Sequence, residues 1–181
     1  RFGVAPPQGK LSQTKVSPKH EWGFDFLTAG YASRAKEPLE WELRFRVYSQ
    51  ENRGKADISL LVTRTLLRLW EYNYDRLRLD HARAYRQLVD VYLSSQGKAG
   101  GEQLFAADPF EAGPDGRIPK ANIIFIFDLP SFTNSLEQIR EIAHEYGHAS
   151  LPPMGIFTQP EQWINGDLGE RMYLRYFLRE I

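Results

Sequence analysis

Residues 134–153 read Asn-Ser-Leu-Glu-Gln-Ile-Arg-Glu-Ile-Ala-His-Glu-Tyr-Gly-His-Ala-Ser-Leu-Pro-Pro. Asn134 is a good N-cap, and Glu137, three positions on, completes a capping box. Leu136, Ile139, Ile142, Ala143 and Tyr146 follow at helical spacing, and Pro152-Pro153 ends the run. The pentad His144-Glu145-Tyr146-Gly147-His148 therefore falls on a helix. Positions four apart lie about 40° apart around a helix axis and about 6 Å apart along it. His144 and His148 can then both reach one metal ion. Glu145 is rotated onto the flank of that face, badly aimed for a ligand and well placed to hold a water on the metal. On zinc such a water titrates near roughly pH 7. Glu145 would take its proton as it attacks a carbonyl and pass it to the leaving amine. The bland alternative is a pair of histidines on an ordinary helix with no metal. Gly147 costs that helix about 1 kcal/mol relative to alanine, which fits a close approach by another backbone.

Upstream, Asn122–Phe127 is an apolar, β-branched and aromatic run that reads as a buried strand closed by Pro130. Residues 107–120, rich in Pro, Gly and Asp, read as a loop. Gly100-Gly101 leads into a short possible strand at Glu102–Ala106. Leu88, Val89, Val91, Tyr92 and Leu93 make another strand, ended by Gly97. Ile58, Leu61, Val62, Thr65, Leu66 and Leu69 share one helical stripe, which predicts a core-packed helix over 57–79. Trp41, Leu43, Phe45 and Val47 alternate with Glu42, Arg44 and Arg46 as a half-buried strand does. Residues 1–40 read as an irregular or extra-β lead-in, with Trp22, Phe24 and Phe26 alternating. Downstream, Thr158 with Glu161 marks a helix that begins there or restarts near Gly166 and runs to the C-terminus.

A catalytic zinc needs a third protein ligand. Asp167 and Glu170, three apart on that last helix, are the candidates, with Glu170 preferred and Asp167 the alternative. The carboxylate not used would orient a histidine.

The chain has 181 residues, enough for one domain with a core and short for two. The expected division is a single domain over 1–181, with 41–181 holding the metal site. Lys and Arg number 23, as do Asp and Glu, so the charge points to neither nucleic acid nor an anionic membrane. No apolar run approaches a membrane span. Cysteine is absent, which excludes disulfides and thiolate metal sites. A zinc site here must use histidine and carboxylate. The first residue is Arg, and removal of a signal peptide would fit a secreted or periplasmic protein.

The pentad followed by a glutamate on a later helix resembles the zincin metallopeptidases, and within them the gluzincins. The similarity covers roughly residues 41–181. It implies an α+β, zincin-like fold: a twisted sheet with an antiparallel edge, a backing helix, an active-site helix and a glutamate helix. It implies zinc held by His144, His148 and Glu170, and a hydrolase that cleaves peptide bonds with Glu145 as base. An endopeptidase on extended polypeptide is the first expectation and an aminopeptidase another. A catalytically silent binding domain, or a latent form with residues 1–40 across the cleft, is the alternative. The resemblance also implies substrate lying antiparallel along an edge strand, for which Gly101–Ala106 is the candidate. An oxyanion helper is implied too, with Tyr173 and His81 as candidates, whereas His20 reads as non-functional. Two departures stand out. The spacing from His148 to Glu170 is longer than in thermolysin-like and aminopeptidase-like members, and Asn165-Gly166-Asp167 replaces their usual Asn-Glu pair.

Overall fold

Strand order follows from which segments can bury one face and which can bury two. In the computed structural model, residues 2–5, 15–16, 22–33, 41–50, 56–79, 88–107, 120–128, 134–152 and 164–180 are described. Seven strands occur among them: β1 (Phe2–Ala5), β2 (Lys15–Val16), β3 (Gly23–Ala32), β4 (Glu42–Ser49), β5 (Val89–Leu93), β6 (Gly100–Ala107) and β7 (Lys120–Phe127). The helices are α1 (Ala56–Tyr72), extended by a π-helical turn at Asn73–Leu77, α2 (Ser135–Ser150) and α3 (Asn165–Glu180). The class is α+β.

The sheet is mixed, with the order β1-β3-β4-β5-β7-β6, and β2 also pairs with β3. β3 runs antiparallel to β1 and β4, β4, β5 and β7 run parallel, and β6 runs antiparallel to β7. β5 and β7 are the buried central strands, so they read as near-continuous apolar runs. β6 is the last strand on its side. The described parts of residues 1–40 join the opposite edge, as the extra-β reading of the lead-in expects. Residues 6–14, 17–21 and 34–40 lie outside the described residues, as do His20, His81, Thr158, Glu161 and most of the loop expected at 107–120.

Alternation sorts the side chains of the central strands. Phe45, Val47, Val89, Val91, Leu93, Ile124 and Ile126 join one buried cluster with Val62, Leu66 and Leu69 of α1, Ile142 and Tyr146 of α2, and Tyr173 of α3. The opposite face carries Phe24, Phe26, Tyr48, Tyr92, Ile123 and Phe125. In-register parallel strands set equivalent side chains about 4.8 Å apart. Tyr48 faces Tyr92, and Tyr92 faces Phe125. Their rings stack accordingly, with centroids 5.1 Å apart in each pair. Two residues earlier in the same register Arg46 faces Asp90. The two form a buried bidentate pair, Nε to Oδ1 at 2.6 Å and the second nitrogen to Oδ2 at 2.8 Å.

α1 buries more than the expected stripe, since Leu67 and Trp70 are buried as well. Gly30 of β3 makes room: a Cβ there would meet Leu67 Cγ at 3.2 Å and Thr63 Cγ2 at 3.0 Å. The helix expected over 57–79 stays α-helical only to Tyr72, and the π turn ends at Arg78, which takes a left-handed φ of 57°. The wider turn accompanies a buried polar knot. Asn73 Nδ2 donates to Ser150 Oγ at 3.0 Å, and Tyr173 Oη donates to Asn73 Oδ1 at 2.8 Å. No helix among the described residues is long and apolar enough to cross a membrane.

Candidate metal centre

The local sequence of α2 starts the helix where the capping box predicts. Asn134 Oδ1 accepts from the Glu137 N–H at 3.0 Å. The far end is tied to the sheet by Asn122, whose Nδ2 donates to the Ala149 carbonyl at 2.9 Å. Gln103 of β6 in turn donates to Asn122 Oδ1 at 3.0 Å. β6, β7 and the C-terminal turn of α2 are thereby fixed to one another. α2 buries Ile142, Ala143, Tyr146 and Ala149 and leaves Glu141, His144 and His148 at the rim.

α3 begins at Asn165, so the restart near Gly166 is the boundary that holds. Its first turns touch the backbone of α2. A Cβ on Gly147 would lie 2.5 Å from the Asn165 carbonyl oxygen, and one on Gly169 would lie 2.7 Å from Gly147 Cα. Gly147 therefore has the close backbone neighbour that its place in a helix implied.

The two imidazoles stand side by side, with centroids 5.0 Å apart and planes at 74°. Both Nε2 atoms converge above Gly166. A Cβ there would lie 2.7 Å from His144 Nε2 and nearer still to His148 Nε2. Each Nδ1 faces an oxygen instead. His148 Nδ1 lies 2.9 Å from Asn165 Oδ1, and His144 Nδ1 lies 3.2 Å from Glu170 Oε2 and 3.6 Å from Asp167 Oδ1. Asn165 Nδ2 reaches the His148 and Leu151 carbonyls at 3.4 and 3.5 Å, so its amide oxygen is the atom turned to the ring. A carbonyl or carboxylate oxygen accepts from Nδ1–H. Each ring is then the tautomer with its basic lone pair on Nε2, the arrangement that metal-bound histidines use.

Glu170 has a second partner, since its Oε1 lies 3.4 Å from Arg140 Nε. The carboxylates and the Nε2 pair thus lie on different sides of the His144 ring. His144, Asp167 and Glu170 offer ligand atoms within 4.8 Å of one another, a group that leaves His148 out. The ligand set expected from the sequence, both histidines with Glu170, is not gathered around one point.

Glu145 is buried, 4% exposed, and packs against β6. A Cβ on Gly101 would lie 2.5 Å from Glu145 Cγ and 2.7 Å from Oε1. The candidate edge strand and the candidate base thus meet at a glycine. Glu141, one turn before Glu145, was not singled out by the sequence reading. Burial pushes its carboxyl up from the ordinary value of 4.5, Glu170 adds to the rise, and His144, Arg140 and the Gly101 N–H oppose it. Its signal in the sequence was its place three before His144 and four before Glu145, on their side of the helix. Asn165, Gly166 and Gly101 were noticed there only as neighbours or spacers.

Tyr173, expected as an oxyanion helper, is fully buried. Its hydroxyl is spent on Asn73 and lies 3.1 Å from Ser150 Oγ. Its ring packs 5.9 Å from Tyr146 and 6.0 Å from Tyr72. Burial raises its phenol far above the ordinary value of 10. That corrects the expectation: Tyr173 is a core residue joining α3 to the π turn, because its face of α3 points at α1 and α2. Comparison of the chain with family models, curated proteins and solved structures finds no match to any of them.

Proposed function

We propose that the chain is a zinc-dependent peptidase of gluzincin type, acting as an endopeptidase on extended polypeptide. The observation that carries this reading is the convergence of the His144 and His148 Nε2 atoms above Gly166. Buried Glu145, next to His144 in the chain, lies against β6. The sheet with an antiparallel edge strand, the backing helix α1, and the crossing of α2 by α3 support a zincin-like architecture.

The donor chemistry fits zinc, which takes imidazole nitrogen and carboxylate oxygen. His144 and His148 would hold it through Nε2. Glu170, engaged at both oxygens, acts by orienting His144. Asp167, 44% exposed and in only a 3.6 Å contact on the Nδ1 side of His144, is the carboxylate assigned to complete the set, and it would have to turn toward the Nε2 side to do so. When bound, the ion supplies a Lewis acid and brings the pKa of a water near roughly 7. Glu145 takes a proton from the attacking water and returns it to the leaving amine. Among the described residues nothing pairs with the outer side of β6, and its main-chain N–H and C=O groups would give an extended peptide affinity with little sequence preference.

A second location for the ion has an observation of its own, the group formed by His144, Asp167 and Glu170. His148→Ala separates the two. It strips zinc if the Nε2 pair holds the ion and spares it otherwise. The test of the whole reading is zinc content together with hydrolysis of an unstructured protein by the wild type and by Glu145→Gln. Stoichiometric zinc in both, with hydrolysis lost by roughly 10²–10⁴-fold in the variant, supports it. Zinc without hydrolysis in the wild type leaves a silent binding domain. Unchanged zinc in both His144→Ala and His148→Ala overturns it.

A further inference from the structure

A second concavity lies on the side of α3 opposite its glycine contact with α2. It is a groove of about 610 Å³ between α3 and the end of α1 with its π turn. Arg76 lines it from the π turn, and Arg171, Arg175 and Arg179 line it from α3. The last three recur every fourth residue, a stripe with about 6 Å of rise per step. All four side chains are exposed. Among the described residues, the lining of the groove contains no acidic residue. Glu71 and Asp75 border a smaller neighbouring hollow shared with Arg68 and Arg76. Like charges four apart on a helix destabilise it, so the stripe is a standing cost that an anion would relieve. The chain as a whole is neutral, with 23 basic and 23 acidic residues, so this positive charge is a local concentration.

The groove is also partly apolar. Leu168, 45% exposed, and Met172 contribute to it. Tyr72 and Tyr176 complete it with their rings packed on each other, centroids 4.6 Å apart, and Tyr173 stands edge-on to Tyr72 at 6.0 Å. Base stacking needs open aromatic faces, and nucleic-acid grooves sit in basic proteins. Rings already packed together and a neutral chain fit that partner poorly. Carboxylates for the arginines and apolar side chains for Leu168 and Met172 fit better.

We propose that this groove binds an acidic, amphipathic segment of a partner polypeptide, with carboxylates along the Arg171–Arg175–Arg179 stripe and apolar side chains against Leu168 and Met172. This stands apart from the metal centre and holds whether or not the chain hydrolyses anything.

The test is fluorescence anisotropy of a short labelled peptide of glutamates with a leucine at every fourth position, added to the full chain with and without EDTA. Binding is expected in both conditions. It weakens roughly tenfold in Arg171→Glu/Arg175→Glu and at high salt, and stays unchanged in Arg64→Glu, an exposed arginine of α1 outside the groove. The milder Arg171→Gln/Arg175→Gln pair gives the same reading if charge reversal lowers the melting temperature. A peptide with lysine for glutamate is not bound. No binding of the acidic peptide, or equal binding by the charge-reversed chain, overturns the proposal. So does displacement of the peptide by a single-stranded oligonucleotide that binds more tightly, which would make the groove a nucleic-acid site.

Discussion

Gly101 and Glu145 are in mutual van der Waals contact in a way that only glycine allows, since a Cβ at 101 would lie 2.5 Å from Glu145 Cγ. Gly101→Ala is therefore expected to push the Glu145 carboxylate off β6. Hydrolysis should fall at least tenfold while zinc content holds, because the histidines are untouched. Steady-state assay beside metal analysis checks it, and wild-type kcat/KM in the variant would refute the contact's importance.

Gly166→Ala should act on the other half of the site. Its methyl would occupy the point where the two Nε2 atoms converge. Zinc should be lost although no ligand has changed, and the melting temperature without metal should drop only modestly. Competition with a chromogenic chelator reads the affinity.

Glu170→Gln and Asp167→Asn should differ in kind. A residue that works through the Nδ1 of a ligating histidine costs about 10–100-fold in metal affinity when altered. Glu170→Gln keeps an oxygen acceptor for His144 and should fall at the lower end of that range. Asp167→Asn should cost more if Asp167 completes the set. The reverse order would make Glu170 the ligand.

Tyr173→Phe should destabilise the fold by about 1–2 kcal/mol and leave zinc content and hydrolysis unaltered, since Asn73 and Ser150 lose a buried partner. The phenol's raised pKa has a definite sign. The unfolded chain ionises it near the ordinary value of 10 and the fold resists doing so. Wild-type stability should fall as pH rises above about 10, and Tyr173→Phe should show less of that decline. Urea melts across that range measure it.

Asp90→Ala should be among the most destabilising single changes, at about 3–5 kcal/mol, because it removes the buried carboxylate that Arg46 bonds through two nitrogens. Arg46→Met/Asp90→Leu should recover much of that loss. A double variant that loses as much as the two single changes added together would show that the pair is not coupled.

Local signals in the sequence reached as far as local physics does. The Asn134–Glu137 cap, the existence of β4, the apolar run of β7 and the close neighbour of Gly147 were all legible, because each rests on a few adjacent residues. The half-buried reading of β4 was not right: Arg44 is fully buried and Arg46 is 9% exposed, because the sheet is covered on both faces there, whereas Trp41 is 49% exposed. The π turn was not. The partners of Asn73 are Ser150 and Tyr173, 77 and 100 positions away. Which carboxylate would serve as a ligand was not legible either, for a related reason. Spacing on α3 puts Asp167 and Glu170 on one face, but only the packing of two glycine surfaces decides which nitrogen of His144 that face meets. Tyr173 was a candidate oxyanion helper only through the resemblance, and one further turn of helix past Glu170 carries it into the core.

The glycine-on-glycine seam between α2 and α3 has a mechanical consequence. With no side chains between the two backbones there, that wall of the site has nothing to compress and little room to shear. A visitor of awkward shape must be accommodated by the opposite wall. Among the described residues β6 pairs with β7 alone, and Gln103 holds that side to Asn122, so whatever give the site has must lie along the outer edge of the strand.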